Sequence, residues 1–165
     1  VDPAQSSIVF RSRYMGRAFE GRFAQWTASI AFDPEAPASA RIRVVIPTAQ
    51  AKTGEAYFDE NVVEGDWFDS RAHPDAVFEV NEGVIRNSDG SYDATGVLTL
   101  KGQRFPLRLP FRLAIEGVRA KMTSELTLKR TALGVGRDTL TEARGDEEWV
   151  DDAVSLSIVV VAQRR

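Results

Sequence analysis

The stretch YDATGVLTLKGQRFPLRLPFRLAIEGVRAKMTSELTL, residues 92–128, is apolar at nearly every second position. Side chains alternate between the two faces of a β-strand, so a period of two predicts strands with one apolar and one polar face. Lys101-Gly102 and Gly117 interrupt the pattern and mark turns. The stretch therefore predicts three antiparallel strands, over 92–100, 105–115 and 118–129.

The same alternation continues on both sides of this stretch. It predicts further strands over 7–15, within 16–32, and over 40–46, 76–85 and 154–162. The cluster Asn87-Ser88-Asp89-Gly90-Ser91 is typical of a hairpin turn. About eight strands joined by hairpins predict an all-β fold, either an antiparallel barrel or a sandwich. An eight-stranded barrel is just wide enough to hold one small ligand.

One segment departs from the period of two. Phe58 and Val62 form an i, i+4 pair, which predicts a short helical insertion near residues 54–70. Thr53 is the expected cap at its start and Gly65 at its end. Asp66-Trp67-Phe68-Asp69 predicts a further turn of helix, and residues 130–152 predict a long polar loop.

Length and composition favour one globular domain over residues 1–165. Hydrophobic residues make up 43% and charged residues 27% of the chain, and the net charge of −3 gives no general pull toward nucleic acid or anionic lipid heads. The chain has no cysteine, which excludes disulfides and thiolate catalysis. Arginines recur at Arg11, Arg13, Arg17 and Arg22 and again at Arg164 and Arg165. We interpret them as a solvated strand face, with a rim that meets an anionic head group as the alternative.

Catalytic patterns are weak throughout the sequence. His73 is the only histidine and precedes Pro74, with no nucleophile motif in the chain. The acids Asp146-Glu147-Glu148 and Asp151-Asp152 fall in the predicted loop, where carboxylates are usually solvated. Gly134-Val135-Gly136 lacks the residues of a phosphate-binding loop. We therefore predict no catalytic residue, no metal site and no cofactor.

Several fragments, in this order, resemble the YceI family of lipocalin-like polyisoprenoid-binding proteins. The resemblance covers essentially the whole chain and is carried by 2–3, 7–10, 21–23, 32–34, 52–54, Asp59, 66–69, Pro74, Phe78, Tyr92, 96–102, Arg130, 133–136 and 152–156. Two positions depart from the family pattern. Tyr14 stands where many members carry a histidine, and Leu133 stands where a phenylalanine is usual.

The resemblance implies an extended eight-stranded antiparallel barrel with a helical segment near one mouth. It implies an elongated isoprenoid ligand, such as a polyprenyl phosphate or a quinone, and no enzymatic activity. It also implies export to the periplasm, which fits a chain that begins Val1-Asp2-Pro3 if a signal has been cleaved, although a trimmed chain would begin the same way. Some members are fused to or encoded near membrane cytochromes of the b561 type.

The function that we expect is binding and carriage of such a lipid inside the barrel. Docking on a membrane redox protein without lipid carriage is the alternative, and an enzyme acting on a small amphiphile ranks third. An exposed strand edge at a barrel seam could also pair two copies into a homodimer.

The candidate ligand-binding residues come from the apolar strand faces and the helical insertion. On the insertion, Phe58, Val62, Trp67 and Phe68 either form a lid or simply pack on the barrel, and Tyr14 offers a hydroxyl for a polar contact. The candidates are Ile8, Phe10, Tyr14, Trp26, Ile42, Val44, Phe58, Val62, Trp67, Phe68, Phe78, Leu98, Leu100, Leu107, Leu109, Met122, Leu126 and Leu156. The alternation alone does not distinguish residues that line a cavity from residues that fill a core.

Overall fold

A computed structural model describes residues 1–137 and 150–164 of the chain. In these residues eleven strands form one antiparallel sheet. The strands are β1 (Ser7–Tyr14), β2 (Arg17–Phe23), β3 (Thr27–Ala31), β4 (Arg41–Pro47), β5 (Ala51–Lys52), β6 (Asp75–Val80), β7 (Val84–Arg86), β8 (Tyr92–Leu100), β9 (Gln103–Glu116), β10 (Arg119–Lys129) and β11 (Ala153–Gln163). The prediction of an all-β antiparallel fold is confirmed, although the strand count differs from eight.

The difference in count comes from three breaks, of which those at 24–26 and 81–83 lie within predicted strands and that at 48–50 follows the predicted strand over 40–46. β6 and β7 both pair with β8, on either side of a break at 81–83. β2 and β3 together face β4 and β5, since β3 pairs with β4 and β2 pairs with β5. Each break shifts the register locally, as a bulge does. Joining these three pairs leaves eight segments, which correspond to the predicted strands except that β5 was not predicted.

The segment of chain from β4 to β5 brings the two ends of the sheet together. The sheet is ordered β3-β4-β6-β8-β9-β10-β11-β1-β2-β5, and the segment from β4 to β5 touches both ends of that order. The Ala24 amide donates to the Gln50 carbonyl at 2.9 Å, beside the β2–β5 pairing. The sheet therefore curls around its inner face as a lipocalin-like barrel.

The helical insertion is shorter than predicted. Helix α1 spans Ala56–Asn61, with Glu55 as N-cap and Val62 as C-cap, so the expected caps Thr53 and Gly65 were both wrong. Gly54 has a φ of +84°, which stops a helix from starting earlier. The Thr53 hydroxyl instead bonds the Asp59 carboxylate at 2.7 Å. Beyond the helix, turns continue through 62–72 and form the rest of the insertion.

The predicted loop over 130–152 is described only at its two ends. Residues Thr131–Leu133 form a short 3-10 turn, and Val150 makes an isolated antiparallel bridge with Tyr14. The predicted acidic cluster Asp146-Glu147-Glu148 lies outside the described residues. No described helix combines the length and the apolarity that crossing a membrane would require.

Candidate functional site

The inner face of the barrel encloses a cavity of about 1060 Å³. This volume exceeds the range of about 300–1,000 Å³ that is typical of small-molecule pockets. Every one of the eighteen residues predicted to bind ligand lines this cavity. The structure thus brings together all of the predicted site, while their contact with a ligand stays a prediction.

The cavity wall is apolar but incompletely packed. The inward side chains of Leu107, Leu109, Leu126 and Leu156 are only partly buried, although each faces the inside of the barrel. Side chains in a filled core are close-packed and have almost no accessible surface. The partial exposure of these leucines therefore reflects open space in front of them.

Dense packing is confined to one side and one end of the barrel. A cluster on β6 to β9 contains the buried residues Ala40, Phe78, Val80, Val84, Tyr92, Ala94 and Phe111. A smaller cluster of Ala76, Leu100 and Val135 lies at the end where the helical insertion joins the barrel. Phe105, although apolar and on the patterned strand β9, packs against this smaller cluster.

Aromatic side chains line the end of the cavity next to α1. The Phe58 ring lies 5.1 Å from the Tyr14 ring, edge to face, and is stacked 5.5 Å from the Phe19 ring. The ring centroids of Phe68 and Phe23 lie 6.0 Å apart, with the rings tilted. Offset and edge-on geometries of this kind are the favourable ones for aromatic pairs. The insertion thus packs against the barrel end and contributes to the cavity wall.

Two glycines in the wall make room for aromatic rings. A Cβ atom on Gly21 would lie 2.2 Å from the ring of Phe10, which is directly across the β1–β2 pairing. A Cβ atom on Gly96 would lie 2.3 Å from the Glu79 carbonyl oxygen and 2.8 Å from the Phe78 ring. Both rings lie flat against the wall and leave the lumen open.

The main polar feature of the wall is the buried side chain of Arg130, which is 4% exposed. Its Nη1 atom donates to the carbonyls of Val135 and Gly136, at 3.1 and 2.8 Å. Its Nη2 atom donates to the Val150 carbonyl at 2.6 Å, and its Nε atom donates to the Asp151 carbonyl at 3.1 Å. Hydrogen bonds from a charged guanidinium to carbonyl oxygens are stronger than those between neutral groups, and they stabilise the buried charge. Arg130 therefore holds 135–136 and 150–151 together.

The guanidinium of Arg130 also contacts the helical insertion. It lies over the Trp67 ring, 5.2 Å from the centroid, in cation–π geometry. A Cβ atom on Gly136 would lie 2.7 Å from Arg130 Nη1 and 2.8 Å from the Trp67 ring, so glycine fits this position. Nearby, hydrogen bonds from the Thr131 hydroxyl and amide lower the pKa of Asp152.

Sequence reasoning missed several lining residues and the role of Arg130. Phe19 and Phe23 line the cavity at odd positions, whereas Trp26 and Phe32 line it at even positions, because the break after β2 changes which face points inward. Leu113, Leu128, Val154, Ile158 and Val160 follow the alternation already seen in their strands. The partners of Arg130 lie five to twenty-one residues away and leave no local pattern.

The residues weighed for catalysis lie elsewhere or outside the described chain. His73 lies in the turn before Pro74, with Nε2 3.9 Å from the Asp69 carboxylate, and does not line the cavity. Gly134 and Gly136 have positive φ and shape the turn around Arg130. Within residues 1–137 and 150–164, no group of three or more acidic or histidine side chains is placed to hold a metal ion.

Comparison with known proteins gives a consistent result. The model of the YceI-like domain matches residues 1–162. A UPF0312 protein of Pseudomonas aeruginosa (strain LESB58) is 33% identical over 138 residues, covering 79% of this chain and 71% of that protein. Another from Pectobacterium atrosepticum is 29% identical over 150 residues, covering 87% and 77%.

Two solved structures share the fold. Burkholderia cenocepacia BcnA superposes with a TM-score of 0.88 at 29% identity, covering 99% of both chains. A polyisoprenoid-binding domain from Saccharophagus degradans superposes with a TM-score of 0.73 at 15% identity, covering 97% of this chain and 94% of that one. At that identity the second likeness concerns the fold alone.

Proposed function

Because this chain belongs to the YceI-like domain family, we propose that it binds and carries one long apolar lipid of the isoprenoid type in its lumen, without catalysing a reaction. A polyprenyl phosphate, a quinone or a similar amphiphile has the required shape. The observation that carries the proposal is the cavity of about 1060 Å³ walled by partly exposed leucines and aromatic rings. The Saccharophagus domain of the same fold is described as binding polyisoprenoid.

The energetics of such binding are favourable without any charged contact. Burying ~400–500 Å² of apolar ligand surface yields about 10–12 kcal/mol at ~25 cal/mol/Å². Restricting a flexible chain and its overall motion costs several kcal/mol of this. A net affinity in the micromolar range or tighter follows. Tyr14, at the aromatic end of the cavity, is the proposed contact for the polar end of the ligand.

The test compares two tryptophan variants on strand β10. Leu126→Trp places an indole in the lumen, where Leu126 lies across from Leu156, and Thr127→Trp places the same group on the exposed outer face. We expect Leu126→Trp to narrow the lumen and reduce lipid binding by about tenfold or more, while both variants stay folded. Thr127→Trp should bind as the unmodified protein does.

Lipid content is measured by native mass spectrometry and by mass spectrometry of an organic extract of the purified protein. Recovery of a stoichiometric isoprenoid lipid from the unmodified protein and Thr127→Trp, but not from Leu126→Trp, is the expected result. A protein that retains no lipid and binds no added polyprenol or quinone contradicts the proposal. That outcome would favour docking on a membrane redox protein instead. The periplasmic location and a homodimer stay predictions.

A further inference from the structure

The end of the barrel away from α1 carries an exposed apolar rim that begins in the lumen and continues beyond it. The β9–β10 hairpin turns at Gly117-Val118, and Val118 is 68% exposed. Ile115, three residues earlier, is 37% exposed and also lines the cavity. On β3, Ile30 is 41% exposed and lines the same cavity. An apolar surface therefore runs from the lumen to the outside of the molecule.

The end of β11 lies against this hairpin. Arg164 donates its amide to the Val118 carbonyl at 2.7 Å, and Arg119 pairs with Gln163. We call Ile115, Val118, Arg119, Lys121 and Arg164 the hairpin rim. Residues 115–121 and 163–164 carry three cations and one carboxylate, that of Glu116. The Asp2 carboxylate lies beside Arg119, because the Gln5 side chain bonds both of them. The whole chain carries a net charge of −3, so this positive balance is local.

Exposed apolar residues beside cations suit one kind of partner. Apolar side chains enter the interface between head groups and acyl chains, and nearby Lys and Arg side chains are attracted to anionic lipids. An apolar patch at a solvent-exposed turn otherwise stays in contact with water at a cost in free energy. We propose that the hairpin rim docks on a membrane surface that contains anionic phospholipid.

This inference rests on the proposed function and extends it. A long isoprenoid lipid cannot cross water at any useful rate, because its apolar surface would be exposed on the way. A rim seated in the interface joins the acyl region to the lumen through Ile115. The membrane thus supplies the ligand and the hairpin end of the barrel is its entrance.

The experiment measures binding of the full chain to vesicles of phosphatidylcholine with and without phosphatidylglycerol. Val118→Asp removes the exposed apolar tip, and its matched control is Met15→Asp, because Met15 is 65% exposed in the turn between β1 and β2, at the opposite end of the barrel. Lys121→Glu reverses one cation of the rim, and its control is Arg104→Glu, which changes an exposed cation at the other end of β9. Neither Val118 nor Lys121 lines the cavity.

We expect the unmodified protein to bind vesicles that contain phosphatidylglycerol, and to bind less as the salt concentration rises. Val118→Asp should weaken partitioning into the vesicles by about tenfold, because a carboxylate would replace the apolar side chain that enters the membrane interface in the docked protein. Lys121→Glu should weaken it by several-fold, from the loss of attraction near the surface. Both control variants should bind as the unmodified protein does.

Three outcomes would overturn the proposal. One is an unmodified protein that binds neither type of vesicle, and another is equal binding by Val118→Asp and Met15→Asp. The third is a dimer in sedimentation velocity that Val118→Asp dissociates, which would assign the rim to a contact between two copies. Uptake of polyprenol added in detergent tests the lumen separately. Val118→Asp should retain that uptake, so failure of lipid binding and failure of docking are distinguishable.

Discussion

On β6 to β8 most of the inward side chains of the barrel are buried, whereas on β10 and β11 most of them face open space. Phe78, Val80 and Ala94 on the first side are at most 8% exposed. Leu126 and Leu156 on the second side are partly exposed, although they lie directly across from each other in adjacent strands. We call these the packed wall and the open wall.

The two walls show that alternation along a strand reports only which face of the strand is apolar. It does not report what lies across from that face. The packed wall has the loop residue Ala40 and the end of β3 behind it, since Phe32 contacts both Tyr92 and Phe111. The open wall faces the lumen, which Phe78 and Ala94 of the packed wall also border. One sequence pattern therefore supports a core on one side and a binding cavity on the other.

The largest expected contrast between packed and open surroundings is in the cost of removing a leucine side chain. Leu100 borders the cavity but is only 5% exposed, because it packs in the smaller cluster with Ala76 and Val135. Leu100→Ala should lower the free energy of unfolding by about 2–5 kcal/mol, because it creates a new void among packed atoms. Leu126→Ala only enlarges an existing cavity and should cost about 1 kcal/mol.

Urea denaturation of both variants, with lipid removed beforehand, measures this contrast. Lipid must be removed because a ligand that binds only the folded protein raises the apparent stability. Equal losses at the two positions would mean that the open wall is as densely packed as the cluster around Leu100. In that case the description of the lumen as unfilled would be wrong.

Much of this architecture could be predicted from sequence, because strand faces follow a local period. The eight segments and all eighteen candidate lining residues came from that period and from the resemblance. The breaks at 24–26, 48–50 and 81–83 could not be predicted, since pairing partners far along the chain fix the register there. The role of Arg130 was not predictable either, because its carbonyl acceptors converge only in the folded chain.

Two glycines sharpen the comparison between packed and unpacked surroundings. Gly96→Ala would place a Cβ atom 2.3 Å from the Glu79 carbonyl oxygen, a backbone atom in the packed wall that cannot move aside. We expect a loss of about 1–3 kcal/mol in the free energy of unfolding. Gly21→Ala would meet only the outer atoms of the Phe10 ring. That ring can rotate into the lumen, so the loss should be below about 1 kcal/mol.

The midpoint of urea denaturation measures both glycine variants, and lipid extraction measures the second consequence of Gly21→Ala. A Phe10 ring displaced into the lumen should reduce the amount of bound lipid, while the protein remains stable. The opposite order of stabilities, with Gly21→Ala the more damaging, would show that the space in front of Phe10 is not available to its ring.

The smallest expected effect concerns acid stability on the outer face of the packed wall. The Arg108 guanidinium donates to the Asp93 carboxylate at 2.5 Å and lowers the pKa of Asp93, and a hydrogen bond from Asn87 at 3.1 Å acts in the same direction. Burial opposes this shift, and Oδ1 of Asp93 has no hydrogen-bond partner among the described residues.

A carboxylate whose pKa is lower in the folded protein stabilises the fold above its unfolded pKa of about 3.9. That contribution is lost as the pH falls through the folded pKa, so stability should decline below about pH 4. Asp93→Asn should flatten this decline, measured by thermal unfolding between acidic and neutral pH. Arg108→Gln should flatten it as well, and the double variant should do no more than either single one. Additive effects would mean that the two side chains act on stability independently. The ion pair would then contribute nothing to the attachment of β9 to β8, which would rest on their backbone hydrogen bonds.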